Sequence, residues 1–445
     1  MDLSSRLRAI VRGNGTGAPR RELTYEPDTG GYESAKDLGR VGEILGGHAA
    51  RTPFGECLVI DRRYESDRFH GDVRIEDCEL DGWNGLGVLD PSLAERGSPL
   101  PRTVFIDLET TGLSGGAGTV AFLVGCGYFD LGAFQVRQFL LASYAAERAL
   151  LAAVAEFFDG TELIVTYNGK TFDVPVMETR WIFHRMEMPD FTPAGVAHFD
   201  MLHPARRLWK GRAGALDDRD DGACCRLTTL ERDLLGFRRR GDVPGFEIPG
   251  RFFQFLRTGD PRPLEAVLEH NRLDLVSLAA VTGRAVRLAR HGDAACRDCE
   301  EAVALGRVFE RAGLMERAET CYRRALSSGA IEVRGEALYR LGLRCRRARR
   351  FEEAAILWRD LVALTEPRAA RRTAAMTALR GFAVEALAIH HEHRARDLPT
   401  ARELALFALT EAGERQVSRA DGIRHRLARL DRKLAKNKGA QLFSS

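Results

Sequence analysis

The stretch VFIDLETTGL, residues 104–113, decides the fold of this 445-residue chain. Its first half, preceded by Thr103, is apolar and β-branched enough to read as a buried strand. Asp107 and Glu109 lie two apart on that strand, so their side chains project to one face. Two neighbouring carboxylates on a rigid strand repel each other unless a cation lies between them. Hard oxygen ligands select Mg²⁺ or Mn²⁺ over zinc. Alone, Asp-x-Glu on a strand is more often an exposed acidic pair, so the rest of the chain must decide.

Working outward, AGTVAFLVGCGYFD and AFQVRQFLL read as a second and third strand, with turns at GLSGG and DLGA. YAAERALLAAVAEFFDG is an amphipathic helix stopped at Gly160. ELIVTYN is a fourth strand and DVPVMETRWIFHRM a helix. Three strands, a helix, a strand and a helix predict an α/β sheet with mixed strand directions. VAHFDMLHPARRLW adds a strand-then-helix unit, and CRLTTLERDLLGF is helical. After the turn DVPGFEIPG come two helical stretches, the second being RPLEAVLEHNRLDLVSLAAVTGRAVRLAR.

Upstream, residues 1–50 open on a short amphipathic patch (Leu3, Leu7, Ile10, Val11) and then turn Gly-, Pro- and charge-rich, as a weakly ordered linker does. ECLVIDRRY and DVRIEDCEL form either a small sheet or an extension of the next domain. RGSPLPR (96–102) marks a boundary. Downstream of Ala295 everything reads as helix. Leu305, Gly306, Phe309, Ala318, Tyr322 and Ala325 fall at the offsets of a tetratricopeptide helix pair. Leu341, Gly342, Cys345, Ala354, Trp358 and Leu361 repeat them 36 residues later, close to the ~34-residue period of such repeats. A degenerate third unit spans Ala383 to Leu409, with Ala401 and Ala408 at the small-residue positions. The expected division is an N-terminal extension with short strands and partial disorder (1–99), an α/β domain (100–292), and tetratricopeptide-like repeats with a basic C-terminal tail (296–445).

Composition sets outer limits. The apolar content is 44% and the formal net charge only +3, which does not by itself imply a polyanionic partner. Nine cysteines, scattered and several in apolar runs, suggest buried thiols in a reducing compartment. MDLSSRLRAIVRGNG has no apolar core of a signal peptide, and no apolar run approaches the ~20 residues of a membrane span. A cytoplasmic protein without membrane contact is expected. Cys296-Arg-Asp-Cys299 lacks the two further ligands of a zinc site. The Arg-rich RCRRARR (344–350) and RHRLARLDRKLAKNK are either nucleic-acid contacts or solvated faces.

Two further acids carry the chemistry. Asp173 ends YNGKTFD (167–173) at a strand-to-helix junction, where it would either cap the helix or stand at the sheet edge near Asp107. Asn168 and Phe172, around it, favour the second reading. His270 and Asp274 are four apart on a helix and share a face. An acid on so apolar a stripe (Leu264, Val267, Leu268, Leu273, Val276, Leu278) wants a partner, which a metal would supply. His270 suits a general base or water-orienting group; the bland alternative is a silent surface pair.

Taken together, VFIDLETTGL, YNGKTFD and HNRLD resemble the Exo I, Exo II and Exo III motifs of the DEDD, RNase H-like 3′–5′ exonuclease superfamily. ETTGLSGGAGT, FDMLHPARRLW, CRLTTLERDLLGF and DVPGFEIP resemble the YprB-type RNase H-like family, often joined to tetratricopeptide repeats. The resemblance covers about 102–290 closely and the helical tail more loosely. It departs at one point: His270 precedes Asp274 by four residues, the spacing of the superfamily's tyrosine group. The resemblance implies two Mg²⁺ or Mn²⁺ ions, one held by Asp107, Glu109 and Asp274, the other by Asp107 and Asp173. It further implies that Thr110, Thr111, Gly112 and Leu113 contact the terminal nucleotide, with Asn168 and Phe172 nearby. Lys170 either touches a phosphate or fills a turn.

The expected activity is metal-dependent 3′–5′ exonuclease cleavage of single-stranded DNA or RNA, with a protein partner recruited through the repeats. Two alternatives stay open: a nucleic-acid-binding or scaffold protein that no longer cuts, and a structure-selective endonuclease.

Overall fold

The computed structural model describes residues 38–94, 96, 102–112, 118–191, 195–210, 225–365, 373–412 and 417–442. The amphipathic patch at Leu3–Val11, the expected linker as far as residue 37, most of RGSPLPR, and Leu113 lie outside the described residues. The rest of that expected linker is ordered instead: it forms helix α1 (Leu38–Leu45), which buries Val41 and Leu45 in the core, and enters the first strand. A seven-stranded mixed sheet forms the first layer. Its strands are β1 (His48–Thr52), β2 (Gly55–Tyr64), β5 (Thr103–Thr110), β6 (Ala121–Asp130), β7 (Ala133–Leu140), β8 (Leu163–Thr166) and β9 (Ala197–Asp200). The spatial order is β1-β2-β7-β6-β5-β8-β9. β5, β8 and β9 run parallel, and the other pairs are antiparallel. The run ECLVIDRRY is β2, hydrogen-bonded to β7 along Leu58–Tyr64, so the sheet draws on residues from both sides of position 100. DVRIEDCEL begins in a small hairpin, β3 (Phe69–His70) with β4 (Val73–Arg74), and leads on to the short helix α2 (Asn84–Leu89).

Alternation along β5 sorts its side chains onto two faces. Val104, Ile106 and Leu108 join a core that includes helix α3 (Glu147–Phe157). Phe105 points the other way, into a core built on helix α8 (Glu265–His291) through Leu275, Val276, Leu278 and Ala279. Asp107 and Glu109 share the parity of Phe105 and therefore face α8. α8 extends across the face and is capped at its end by Gly292 at φ 70°, a left-handed value that glycine adopts at little cost. Between the last strands and α8 run α4 (Asp173–Phe183), α5 (Leu202–Trp209), α6 (Leu227–Leu234) and α7 (Ile248–Thr258).

The C-terminal region is all helical: α9 (Cys299–Arg311), α10 (Met315–Ala325), α11 (Ile331–Arg347), α12 (Phe351–Leu364), α13 (Ala374–His390), α14 (Leu398–Ala412) and α15 (Val417–Leu442). Successive helices pack as pairs. A Cβ on Gly306 would collide with the Tyr322 ring, and one on Gly342 with the Trp358 indole. The same small-against-large contact thus recurs at equivalent places in two consecutive pairs. The helical region is seated on the sheet domain: Trp209 Nε1 of α5 donates to buried Glu301 Oε1 of α9 at 2.9 Å. The other Glu301 oxygen accepts from Arg284 of α8 at 2.6 Å. Much of the Arg-rich charge is met internally, since Arg344 and Arg350 pair with Glu319, and Arg426, Arg429 and Lys433 with Glu392. No helix among the described residues is long and apolar enough to cross a membrane.

Candidate active site

The acidic pair of β5 is covered by one residue of α8. Asn271, fully buried, donates from Nδ2 to the Asp107 carboxylate Oδ2 at 2.8 Å and to the Asp107 carbonyl at 3.1 Å. Its Oδ1 accepts from Gln138 Nε2 of β7 at 2.8 Å. Strand register puts Asp107 opposite Gly125 and Gly125 opposite Gln138, so these three residues form one row beneath the carboxamide. Gly125 is the gap in that row, because a Cβ there would occupy the space of the Asn271 side chain.

Asp173 reaches the same place from the sheet edge. β8 ends at Thr166 while its parallel neighbour β5 continues to Thr110. This frees the Leu108 amide, which donates to the Asp173 carboxylate. Asp173 is the first residue of α4 rather than its cap, a place taken by Phe172. Burial, offset in part by its hydrogen bonds from the Asp173 and Leu108 amides, raises its carboxyl to about 7, with Asp200 and Asp274 adding to the rise. Burial likewise pushes Asp107 well above the usual carboxylate range, reinforced by Asp274, Glu109 and Asp173. Glu109 is raised by burial and by Asp274, Asp173 and Asp242, with Arg239 opposing. The four acids therefore share one electrostatic environment.

The described structure meets that negative charge with an arginine. Arg239 follows α6 and points inward. Its Nη2 pairs with Asp274, its Nε donates to Glu231 Oε2 at 2.9 Å and its Nη1 to Asp242 Oδ2 at 3.2 Å. Burial would lower the guanidinium, but hydrogen bonds to Glu231 and Asp274 and their charges raise it above its ordinary value. His270 sits beside it, with Nδ1 2.7 Å from Asp242 Oδ1 and Nε2 3.4 Å from Asp274 Oδ2. Asp242 Oδ1 is thus placed to accept from Nδ1, with Arg239 Nη1 3.4 Å from the same nitrogen, while Nε2 is the ring nitrogen turned toward Asp274.

The remaining predicted residues are placed less uniformly. Thr110 Oγ1 donates to the Gly112 carbonyl at 2.8 Å, and Thr111 closes the strand extension against Val120. Asn168 lies at φ 71°, with its amide donating to Asp200 Oδ1 at 2.8 Å and its side chain accepting from Thr171. Lys170 pairs with Asp90 at 3.3 Å, and Phe172 is half-buried. Among the described residues no group of three His, Cys, Asp or Glu is arranged to hold a metal ion. The CxxC cysteines mark a helix junction: Cys299 begins α9, and buried Cys296 donates to the Gly292 carbonyl, its thiol pushed up to about 12 by burial.

Sequence reasoning missed Asn271, Gln138, Glu231, Arg239 and Asp242. Asn271 had a signal: it lies on the stripe of Leu264, Leu268, Leu275 and Leu278, where a polar side chain needs a partner. Arg239 had none, since its neighbours in RRR are exposed.

A family model described as RNase_H superfamily matches residues 104–286, the span that carries β5 through most of α8. YprB of Bacillus subtilis (strain 168) is 31% identical over 379 residues, covering 85% of this chain and 86% of that protein. Among solved structures, the family B DNA polymerase of Pyrobaculum calidifontis aligns at 15% identity and a TM-score of 0.30, over 50% of this chain and 30% of the polymerase chain. The YprB match extends from the sheet domain well into the helical region, and on that ground the chain belongs to the YprB family, with an RNase H-like domain.

Proposed function

We propose that this chain hydrolyses phosphodiester bonds of single-stranded DNA or RNA, using divalent metal, and removes nucleotides from the 3′ end. The observation that carries the reading is the shared electrostatic environment of Asp107, Glu109, Asp173 and Asp274 beside His270. The donor set is entirely carboxylate oxygen, which fits Mg²⁺ or Mn²⁺. Its buried, mutually repelling charges fit a cation as partner. Asp107, Glu109 and Asp274 would hold one ion, and Asp107 with Asp173 the second. When bound, two such ions supply Lewis-acid charge to the attacking water and to the departing oxygen.

The protein's own groups prepare that chemistry. Asn271 fixes the Asp107 rotamer, and Asp242 holds His270 so that Nε2 can accept a proton from water. Thr110, Thr111 and Gly112 lie just past the acid pair, where the terminal nucleotide would rest, with Asn168 and Phe172 on the neighbouring loop; Leu113, next in sequence, would join them. The helical pairs read as tetratricopeptide-like repeats that recruit a protein partner.

The test is release of label from 3′- and 5′-labelled single-stranded DNA and RNA with Mn²⁺, wild type against Asp107→Ala. Product from purified Asp107→Ala equal to wild type would sink the reading, and cleavage of circular substrate would make the enzyme an endonuclease. One observation favours a non-cutting, nucleic-acid-binding alternative: Arg239 already pairs with Asp274. Calorimetric titration with Mn²⁺ separates the two, because a protein whose arginine permanently replaces the metal binds none.

A further inference from the structure

Beside the acids, on the α8 side, lies a cavity of about 430 Å³ whose wall includes Arg239 and Asp242 themselves. It is therefore continuous with the residues that hold His270 and Asp274. Its other walls come from the β3–β4 hairpin and the loop after α6, which are locked together by unusually close backbone approach. The Asp72 amide donates to the Leu235 carbonyl at 2.7 Å. Gly71, at φ 62°, leaves no room for a Cβ against that carbonyl, and Gly236, at φ 64°, leaves none against the Asp72 carboxylate. His70 anchors the hairpin to α8 through Ser277 Oγ at 2.7 Å and packs on Phe237 with ring centroids 4.0 Å apart. The cavity is thus a preorganised feature of the fold.

Its lining combines an exposed aromatic ring with cations, beside two acids that already have arginine partners, Asp242 with Arg239 and Glu269 of α8 with Arg272. Phe69 is 58% exposed: the guanidinium of its cross-strand partner Arg74 lies over the ring, 5.6 Å from the centroid, but more than half of the residue stays open to solvent, a large cost for a phenyl ring. Arg68, Arg238 and Arg240 line the same cavity, are exposed, and form no ion pair with an acid among the described residues. In the run RRR the middle side chain turns inward to three carboxylates while its neighbours face the cavity. Cations that track a phosphate backbone, interleaved with an open aromatic face, form the combination that binds single-stranded nucleic acid without reading its sequence. An acidic peptide would satisfy the arginines but leave Phe69 unused.

We infer that this cavity binds one or two nucleotides of a single strand adjoining the scissile phosphate, with a base stacked on Phe69 and phosphates against Arg68, Arg238 and Arg240. The inference rests on the nucleic-acid substrate proposed above, but its test does not require hydrolysis. Binding of fluorescein-labelled octamers of DNA and RNA to the full chain is followed by anisotropy in EDTA across a salt series. Phe69→Ala is expected to weaken binding about tenfold with the salt slope unchanged, and Phe69→Trp to restore it. Arg238→Gln with Arg240→Gln is expected to make the slope of log K against log salt shallower by roughly 1–2. Unchanged affinity in Phe69→Ala, or displacement by polyglutamate as efficient as by unlabelled oligonucleotide of equal charge, would overturn the inference. Absence of Mn²⁺-dependent cleavage alongside the expected Phe69 pattern would count against the hydrolytic reading alone. Asp107-dependent cleavage with Phe69→Ala binding like wild type would count against the cavity alone.

Discussion

Asn271 Nδ2 stands 2.8 Å from Asp107 Oδ2, and the space it occupies exists because residue 125 is glycine. A helix from one end of the domain and three strands from the other are tied at this point. Gly125→Ala is expected to expel the carboxamide, costing about 2–4 kcal/mol through overpacking and stranded hydrogen-bonding groups. Urea denaturation measures the loss. Asn271→Ala in the same background should then cost little more, because the contact is already gone.

The acids are arranged at the expense of stability. Burial and neighbouring charge make ionised Asp107 costly, so Asp107→Asn, which keeps an acceptor for Asn271, should stabilise the metal-free protein by about 1–2 kcal/mol at pH 8. Under the proposed function the same change removes Mn²⁺-dependent cleavage. Mn²⁺ at about a hundred times its Kd should raise wild-type stability by about 2.7 kcal/mol and raise Asp107→Asn far less. Thermal melts with and without EDTA read both effects.

Arg239 is the most heavily committed side chain near the site. Its removal leaves Glu231, only 1% exposed, as an uncompensated buried charge, so Arg239→Ala should cost about 3–5 kcal/mol. Adding Glu231→Gln should recover a substantial part of that cost, because the stranded charge disappears. Arg239→Lys should rescue poorly, since an ammonium cannot fork between Glu231, Asp242 and Asp274. Equal destabilisation in the single and double variants would show that Glu231 is not the group Arg239 compensates.

What was legible in the sequence follows from the range of each interaction. The period-2 pattern of β5 places Asp107 and Glu109 on one face, and the helical spacing of His270 and Asp274 places those on another. Both are local facts. The pairing of β2 with β7 joins Leu58 to Leu140 at one end and Tyr64 to Phe134 at the other and leaves no local trace, so ECLVIDRRY alone cannot say which sheet it enters. Arg239 is harder still: its burial depends on Glu231 at the end of α6 and on Asp274 across the domain, while its neighbours in RRR are exposed. Gly125 looks like any strand glycine until α8 is laid over it.

The helical region carries its own buried charge, and its pH response is separable from that of the site. Glu392 accepts hydrogen bonds from Arg426, Arg429 and Lys433 of α15 at 2.7–2.9 Å. Burial works against the carboxylate, but the hydrogen bonds and charge of Arg429 and Lys433 prevail and lower it from 4.5 to about 2. A depressed carboxyl contributes stability that is fully present above its unfolded value and lost as pH falls through its folded one. The docking of α15 should therefore weaken between about pH 4.5 and pH 2. Glu392→Gln should remove about 1–3 kcal/mol at pH 7 and flatten that acid limb. Hydrogen exchange of α15 amides across the pH series reads the change directly, and a wild-type profile matching that of Glu392→Gln down to pH 2 would show that the cluster does not hold the helix.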